Sequence, residues 1–190
     1  MDYTPLAIYQ QSINKQRIVI TGAEKSNVTR IITTILQAYQ RKFDHFHNGQ
    51  LTSMLGASII LIETDITPEI EGYHHHVIIF TNLIEKDRVN AIKLVDKTPK
   101  GGIVFYPEID SKSNSIENKE RTDMQFVLCK VLPHSIQEGK IFLISSTKEK
   151  FPTNLKSAEN LLALAIAKEL LKKIGISSGM FYKAVATLEY

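Results

Sequence analysis

The sequence is nearly without cysteine: Cys129 stands alone. A lone thiol excludes an internal disulfide and any thiolate metal cluster. Long apolar runs are missing too. None approaches the roughly 18–20 residues of a membrane span, so no membrane partner is expected. The start, Met1-Asp2-Tyr3-Thr4-Pro5, has neither the basic region nor the apolar stretch of a secretory signal. Net charge is small: 23 Lys and Arg against 20 Asp and Glu leave +3. Bulk charge therefore gives no reason to expect a nucleic-acid partner. No Ser/His/Asp order and no nucleophile elbow is present. These absences predict a cytoplasmic protein. The 190 residues, 43% of them hydrophobic, predict one domain over 1–190 with a core of useful size.

What is present has an α/β rhythm. Residues 1–14 read as a short amphipathic helix with Leu6, Ile8, Tyr9 and Ile13 on its apolar side. Arg17-Ile18-Val19-Ile20-Thr21-Gly22 is a β-branched run ending at glycine, which suits a buried strand. Over 26–39, Val28, Ile31, Ile32, Ile35, Leu36 and Tyr39 recur at helical spacing. Further apolar runs at 58–63, 77–80 and 103–106 predict strands, with a helix over 86–97. Residues 110–123 are polar and predict an exposed connection. Strands at 125–131 and 140–145, separated by Gly139, are expected as antiparallel additions at the edge. The strongest helix spans 156–173, with Ser157 as a plausible N-cap and Gly175 as its stop. Ser177 or Ser178 caps a last helix through Leu188. The expected fold is a three-layer α/β sandwich: a mainly parallel sheet flanked by helices, with a small antiparallel edge addition.

Several places could carry chemistry. In a parallel sheet, ligands bind beyond the carboxyl ends of the strands. The turn Thr21-Gly22-Ala23-Glu24-Lys25-Ser26-Asn27 opens a helix whose free N–H groups favour an anion. A full phosphate-loop pattern is absent. One glycine stands where at least two are needed, and Glu24 adds negative charge, so an ordinary strand-to-helix turn is the competing reading. Glu63-Thr64-Asp65 leaves a strand where a carboxylate could hold Mg²⁺, although acidic strand ends also serve solubility. In His74-His75-His76 and in His45-Phe46-His47, only the i, i+2 pairs share a face. Neither has a confirming ligand nearby in sequence. Cys129 reads as a packed small hydrophobe.

The order of these features resembles the Mur ligases, the ATP-dependent amide ligases of peptidoglycan synthesis. The likeness lies nearest the muramate–alanine ligase and murein-peptide ligase branch. The family's central domain opens with a strand, then Gly-Thr-x-Gly-Lys-Thr-Thr, then a helix. Here Ile18-Val19-Ile20-Thr21-Gly22 leads into Ala23-Glu24-Lys25-Ser26-Asn27-Val28-Thr29. The family's Ile-Glu-Ala-Asp-Glu is similar to Ile62-Glu63-Thr64-Asp65. Its Ile-Thr-Asn, followed by Asp-His, is similar to Phe80-Thr81-Asn82 and the later Asp87. Its Thr-Pro-x-x-Gly segment matches Thr98-Pro99-Lys100-Gly101-Gly102. Its His-Asn-x-x-Asn helix is echoed by Glu159-Asn160 and Ala163, and its closing Leu-Gly-Ile-Ser by Ile174-Gly175-Ile176-Ser177. The resemblance covers roughly residues 3–190.

The resemblance implies nucleotide-binding positions at Gly22, Lys25, Ser26, Asn27, Asn82 and Asn160, and metal positions at Glu63 and Asp87. It implies ATP and Mg²⁺ as cofactors. It also shows degradation. Aligned without a gap, the family's catalytic Lys falls on Ser26. With one residue deleted, Lys25-Ser26 takes the Lys-Thr place and Glu24 replaces glycine. Either way backbone approach to the phosphates is compromised, so ATP and Mg²⁺ binding is expected weak or lost. Family members carry three domains, and 190 residues match the central one alone, which argues against independent ligase activity. The leading expectation is a degenerate, stand-alone central domain without ligase activity. It would bind a nucleotide, a muramyl-type ligand, a protein partner or a second copy of itself, in relation to cell-wall metabolism. The alternatives are an active ATP-dependent ligase or ATPase component completed by other chains, and a purely structural domain. No catalytic residue is assigned.

Overall fold

A computed structural model describes residues 3–108, 116, 120–155 and 160–188. Its centre is β1 (Gln16–Thr21), the β-branched run, which pairs in parallel with β4 (Ile59–Glu63) on one side and β5 (Val77–Phe80) on the other. Being buried on both faces, β1 reads as a continuous apolar run rather than an alternating one. Around it the large sheet has seven strands in the order β3-β2-β4-β1-β5-β6-β7. Here β2 is Asp44–His47, β3 is Gln50–Thr52, β6 is Ile103–Pro107 and β7 is Gln125–Cys129. All pairings are parallel except the β2–β3 hairpin.

Successive strand residues point to opposite faces, and the two faces build two cores. Ile18, Ile20, Leu61 and Ile79 pack under α2 (Lys25–Ala38), α4 (Asn160–Lys173) and α5 (Ser178–Val185). Val19, Ile62, Ile78 and Phe80 pack with Ile8 of α1 (Pro5–Gln11), Ile70 of the 3-10 turn Pro68–Tyr73, and Leu94 of α3 (Arg88–Lys97). The sheet is thus the middle of three layers. No helix among the described residues is long and apolar enough to cross a membrane.

Several expectations need correction. Helix α1 covers Pro5–Gln11 rather than 1–14: the Thr4 side chain accepts from the Ala7 amide and Ser12 ends the helix, leaving Ile13 exposed. Strand β7 is not an antiparallel addition. It runs parallel to β6, Ile103 opposite Gln125 through Pro107 opposite Cys129, with the Gln125 amide donating to the Gly102 carbonyl at the starting end of β6. The antiparallel part is a separate three-stranded sheet of β8 (His134–Gln137), β9 (Lys140–Ile144) and β10 (Lys150–Pro152). Helix α5 stops at Val185, short of Leu188, and Ser177 is its cap, accepting from the Met180 amide. Most of the 110–123 connection, and the Ser157 cap with Glu159, lie outside the described residues.

Two buried polar groups tie together the layer that carries α1, the Pro68–Tyr73 turn and α3. Arg17, 6% exposed, donates to the carbonyls of His74 at 2.8 Å and Ser12 at 3.0 Å. His75, 2% exposed, lies with Nε2 2.9 Å from the Thr98 hydroxyl. That hydroxyl spends its proton on the Leu94 carbonyl, so Nε2 of a neutral His75 must donate. Burial, reinforced by His76, Arg17 and His74, pushes its pKa down to about 4. The unfolded chain binds this proton at about 6.5 and the folded one only near 4, so stability falls as pH drops through that window. At about 1.4 kcal/mol per unit, the loss from this group is on the order of 3 kcal/mol. A His75→Gln chain, melted in urea between pH 7 and pH 4, should show a flatter stability profile than the parent. Parallel profiles would contradict the assignment.

Candidate functional site

Strands β1, β4 and β5 end side by side, with Ile20 opposite Glu63 and Thr21 opposite Phe80. Their carboxyl ends therefore bring Gly22, Glu63 and Thr81-Asn82 to one edge, where α/β sheets bind ligands. The turn between β1 and α2 is only Gly22-Ala23-Glu24. Gly22 has φ +109, and a Cβ on it would lie 2.7 Å from Thr81 Oγ1 and 2.8 Å from the Asn82 carbonyl oxygen.

That contact closes the turn. The Ala23 amide donates to the Asn82 carbonyl at 3.1 Å. The Glu24 amide donates to Thr81 Oγ1 at 3.1 Å, and that hydroxyl donates to the Thr21 carbonyl. The Lys25 amide donates to the Gly22 carbonyl at 3.3 Å. An anion-binding nest needs successive free N–H groups, and these three are engaged within the protein.

The side chains that follow are engaged as well. Lys25 Nζ meets Asp65 Oδ1 at 2.6 Å. The Ser26 hydroxyl donates to Glu63 Oε1. Asn27 Nδ2 donates to Asn160 Oδ1 at 2.8 Å, joining the start of α2 to the start of α4. Asn82 and Asn160 line a cavity of about 360 Å³ whose apolar wall includes Val28 and Ile166. Asp87 lies in another, of about 370 Å³, with Gly22, Lys25 and Asp65. Glu63 opens into a third, of about 500 Å³, which Lys25 and Asp65 also line. Every sequence-predicted position thus borders this edge, but Glu63 and Asp87 face different cavities.

Two residues set aside in the sequence arrive at the site. His45 and His47 lie on β2, one strand beyond β4, with ring centroids 5.7 Å apart. His47 Nδ1 is 3.1 Å and His45 Nε2 4.0 Å from Glu63 Oε2. The approach of His47 is not directed as a hydrogen bond, and both nitrogens are shielded from solvent without a hydrogen-bond partner. Burial pushes the His45 pKa below its usual value against the pull of Glu63. The signal for this was Asn48-Gly49, a favoured hairpin dipeptide, with φ 48 and 72. It marks His45-Phe46-His47 as strand, with both imidazoles on one face. The other histidine run holds no such group: His76 Nδ1 accepts from the Arg17 amide and His75 is buried against Thr98. Cys129 is buried, and its thiol is pushed up to about 12 by that burial, as expected of a packed hydrophobe.

No protein-family model matches the chain, and no curated protein matches it in sequence. Solved structures match its fold. The MurF ligase from Thermotoga maritima in complex with ADP superposes over 98% of this chain and 52% of its own, at 10% identity and a TM-score of 0.74. A murein peptide ligase from Psychrobacter arcticus covers 97% of this chain and 49% of its own, at 12% identity and a TM-score of 0.70. The folylpolyglutamate synthetase from Lactobacillus casei covers 100% and 67%, at 8% identity and a TM-score of 0.70. The chain folds as a Mur-ligase-like central domain, and it spans about half the length of the MurF and murein peptide ligase structures.

The closed turn makes Gly22 intolerant of a side chain. Gly22→Ala combines a disfavoured φ with contacts below 3 Å, so it should cost about 1–3 kcal/mol. Urea denaturation measures this, and a loss below about 0.5 kcal/mol would contradict the close approach to Thr81 and Asn82.

Proposed function

We propose that this chain is a ligand-binding module on a Mur-ligase-like fold that does not itself perform amide ligation. The observation carrying this reading is the closed turn at Gly22-Ala23-Glu24. Phosphoryl transfer relies on positioning and on charge stabilisation by backbone amides, a lysine and Mg²⁺. Here the three amides are spent on Asn82, Thr81 and Gly22, and Lys25 is paired with Asp65. Glu24 brings negative charge where a phosphate would sit. The residues present do not fit a triphosphate cradle.

What remains suits binding. The cavity bordered by Asn82 and Asn160 sets polar groups, Glu24 and Thr81 among them, against an apolar wall of Val28 and Ile166, which fits a flat heterocycle with N–H donors such as a nucleotide base. The link to cell-wall metabolism rests on the names of two of the matched structures, MurF ligase and murein peptide ligase.

One observation favours a second reading, an ATP-dependent ligase or ATPase component completed by other chains. Lys25 opens α2 and the Ser26 hydroxyl meets Glu63, as the Lys-[Ser/Thr] pair of a phosphate loop meets a strand-end acid. Phosphate release separates the two. The proposed module leaves Mg²⁺·ATP turnover at background and binds ATP no tighter than about 1 mM, or roughly −4 kcal/mol. A substantial rate abolished by Glu63→Ala would overturn it in favour of the second reading.

A further inference from the structure

We propose that His45, His47 and Glu63 form a binding site for a late first-row divalent metal ion, with Zn²⁺ as its representative. The site needs neither nucleotide nor Mg²⁺ and goes beyond the function proposed above.

The backbone brings the three groups together. His45 and His47 alternate with Phe46 on β2, so both imidazoles leave the same face. Parallel pairing sets His45 opposite Leu61 and Phe46 opposite Ile62. One residue further, Glu63 comes beside His47. The hairpin turn at Asn48-Gly49 holds β2 in that register against β3. One donor atom from each residue lies within 4.8 Å of the others, and among the described residues no other group of three His, Cys, Asp or Glu is so arranged.

The distances are close to those a metal imposes. With metal–nitrogen and metal–oxygen bonds of about 2.0–2.2 Å, tetrahedral donors sit about 3.4 Å apart. His47 Nδ1 and Glu63 Oε2 are already 3.1 Å apart, and His45 Nε2 is 4.0 Å from the same oxygen. Drawing in His45 by about an ångström completes the set.

Electrostatics points the same way. Both imidazole nitrogens are hidden from water and have no hydrogen-bond partner, a situation proteins rarely leave uncompensated. A cation at the centre takes both lone pairs and the Glu63 charge at once. A single proton would satisfy one imidazole and leave the other orphaned. Ser26 donates to the second oxygen, Glu63 Oε1, the outer contact that fixes the orientation of a ligating carboxylate.

The donor set chooses the ion. Mg²⁺ and Ca²⁺ prefer all-oxygen shells, whereas two imidazoles and one carboxylate suit Zn²⁺ and its neighbours. His47 and Glu63 also line the cavity of about 500 Å³. A fourth coordination position would therefore open toward Lys25 and Tyr73, the arrangement of a three-ligand site with an exchangeable water.

The test uses untagged, metal-free full chain and the metal alone. Isothermal titration with Zn²⁺ should give one ion per chain at micromolar affinity or tighter, and millimolar Mg²⁺ should not displace it. Losing an outer-shell partner costs roughly 10–100-fold, so His45→Ala and His47→Ala should each weaken binding by at least about 100-fold. Cobalt substitution should give the intense visible bands of a four-coordinate site. Should either variant fail to fold, ¹⁵N spectra of the parent chain still decide. Stoichiometric Zn²⁺ must move His45 Nε2 and His47 Nδ1 and leave His74, His75 and His76 in place. Undiminished binding in both variants, displacement by equimolar Mg²⁺, no binding, or unmoved His45 and His47 resonances would each overturn the proposal.

Discussion

Two amide hydrogen bonds, from Ala23 to the Asn82 carbonyl and from Glu24 to the Thr81 hydroxyl, clasp the turn after β1 onto the end of β5. They are possible because Gly22 approaches Thr81 and Asn82 more closely than any Cβ would allow. Much at the carboxyl edge follows from this clasp. Helix α2 starts at Lys25 directly after a three-residue turn. That start sets the Ser26 hydroxyl on Glu63 and Asn27 on Asn160. A longer, open turn would instead present its amides to an anion. Here the Ala23, Glu24 and Lys25 amides are engaged within the protein.

Glu63 is the second fixed point. It leaves the central region of the sheet nearly buried, 6% exposed, and a buried carboxylate must be compensated. One oxygen is met by Ser26 and the other faces His47 and His45. The strand-end acid therefore stands beside Ser26 and Lys25, as its sequence context suggests, and gains a second set of neighbours that the sequence does not report. These are imidazoles from the adjacent strand, while Asp87 opens into another cavity.

The layout of the fold was legible because its signals are strong and local. The β-branched run before Gly22, the helical spacing from Val28 to Tyr39, and the apolar helix ended by Gly175 all stand where they were expected. Edges were harder. Strands β2 and β3 carry Asp, His and Gln rather than an apolar run, and only Asn48-Gly49 betrays the hairpin. Strand β7 is parallel because of a long-range pairing with β6, which no local pattern encodes. At the site, the residues Gly22, Lys25, Ser26, Asn27, Asn82 and Asn160 could be named from motif order. Their pairings could not: whether Lys25 faces a ligand or Asp65 depends on the height of β4 relative to β1. The two histidines were visible as a pair, but their third partner lies in another strand, and sequence spacing does not report contacts across a sheet.

The turn at Gly22-Ala23-Glu24 decides how this edge is read, and amide hydrogen exchange reads it directly. If the clasp holds, the Ala23, Glu24 and Lys25 amides are protected in the free protein, and their protection and ¹H–¹⁵N positions stay unchanged when Mg²⁺·ATP is added. Rapid exchange at all three in the free chain, with protection and large shifts on adding Mg²⁺·ATP, would mean an open phosphate cradle and would contradict the closed turn.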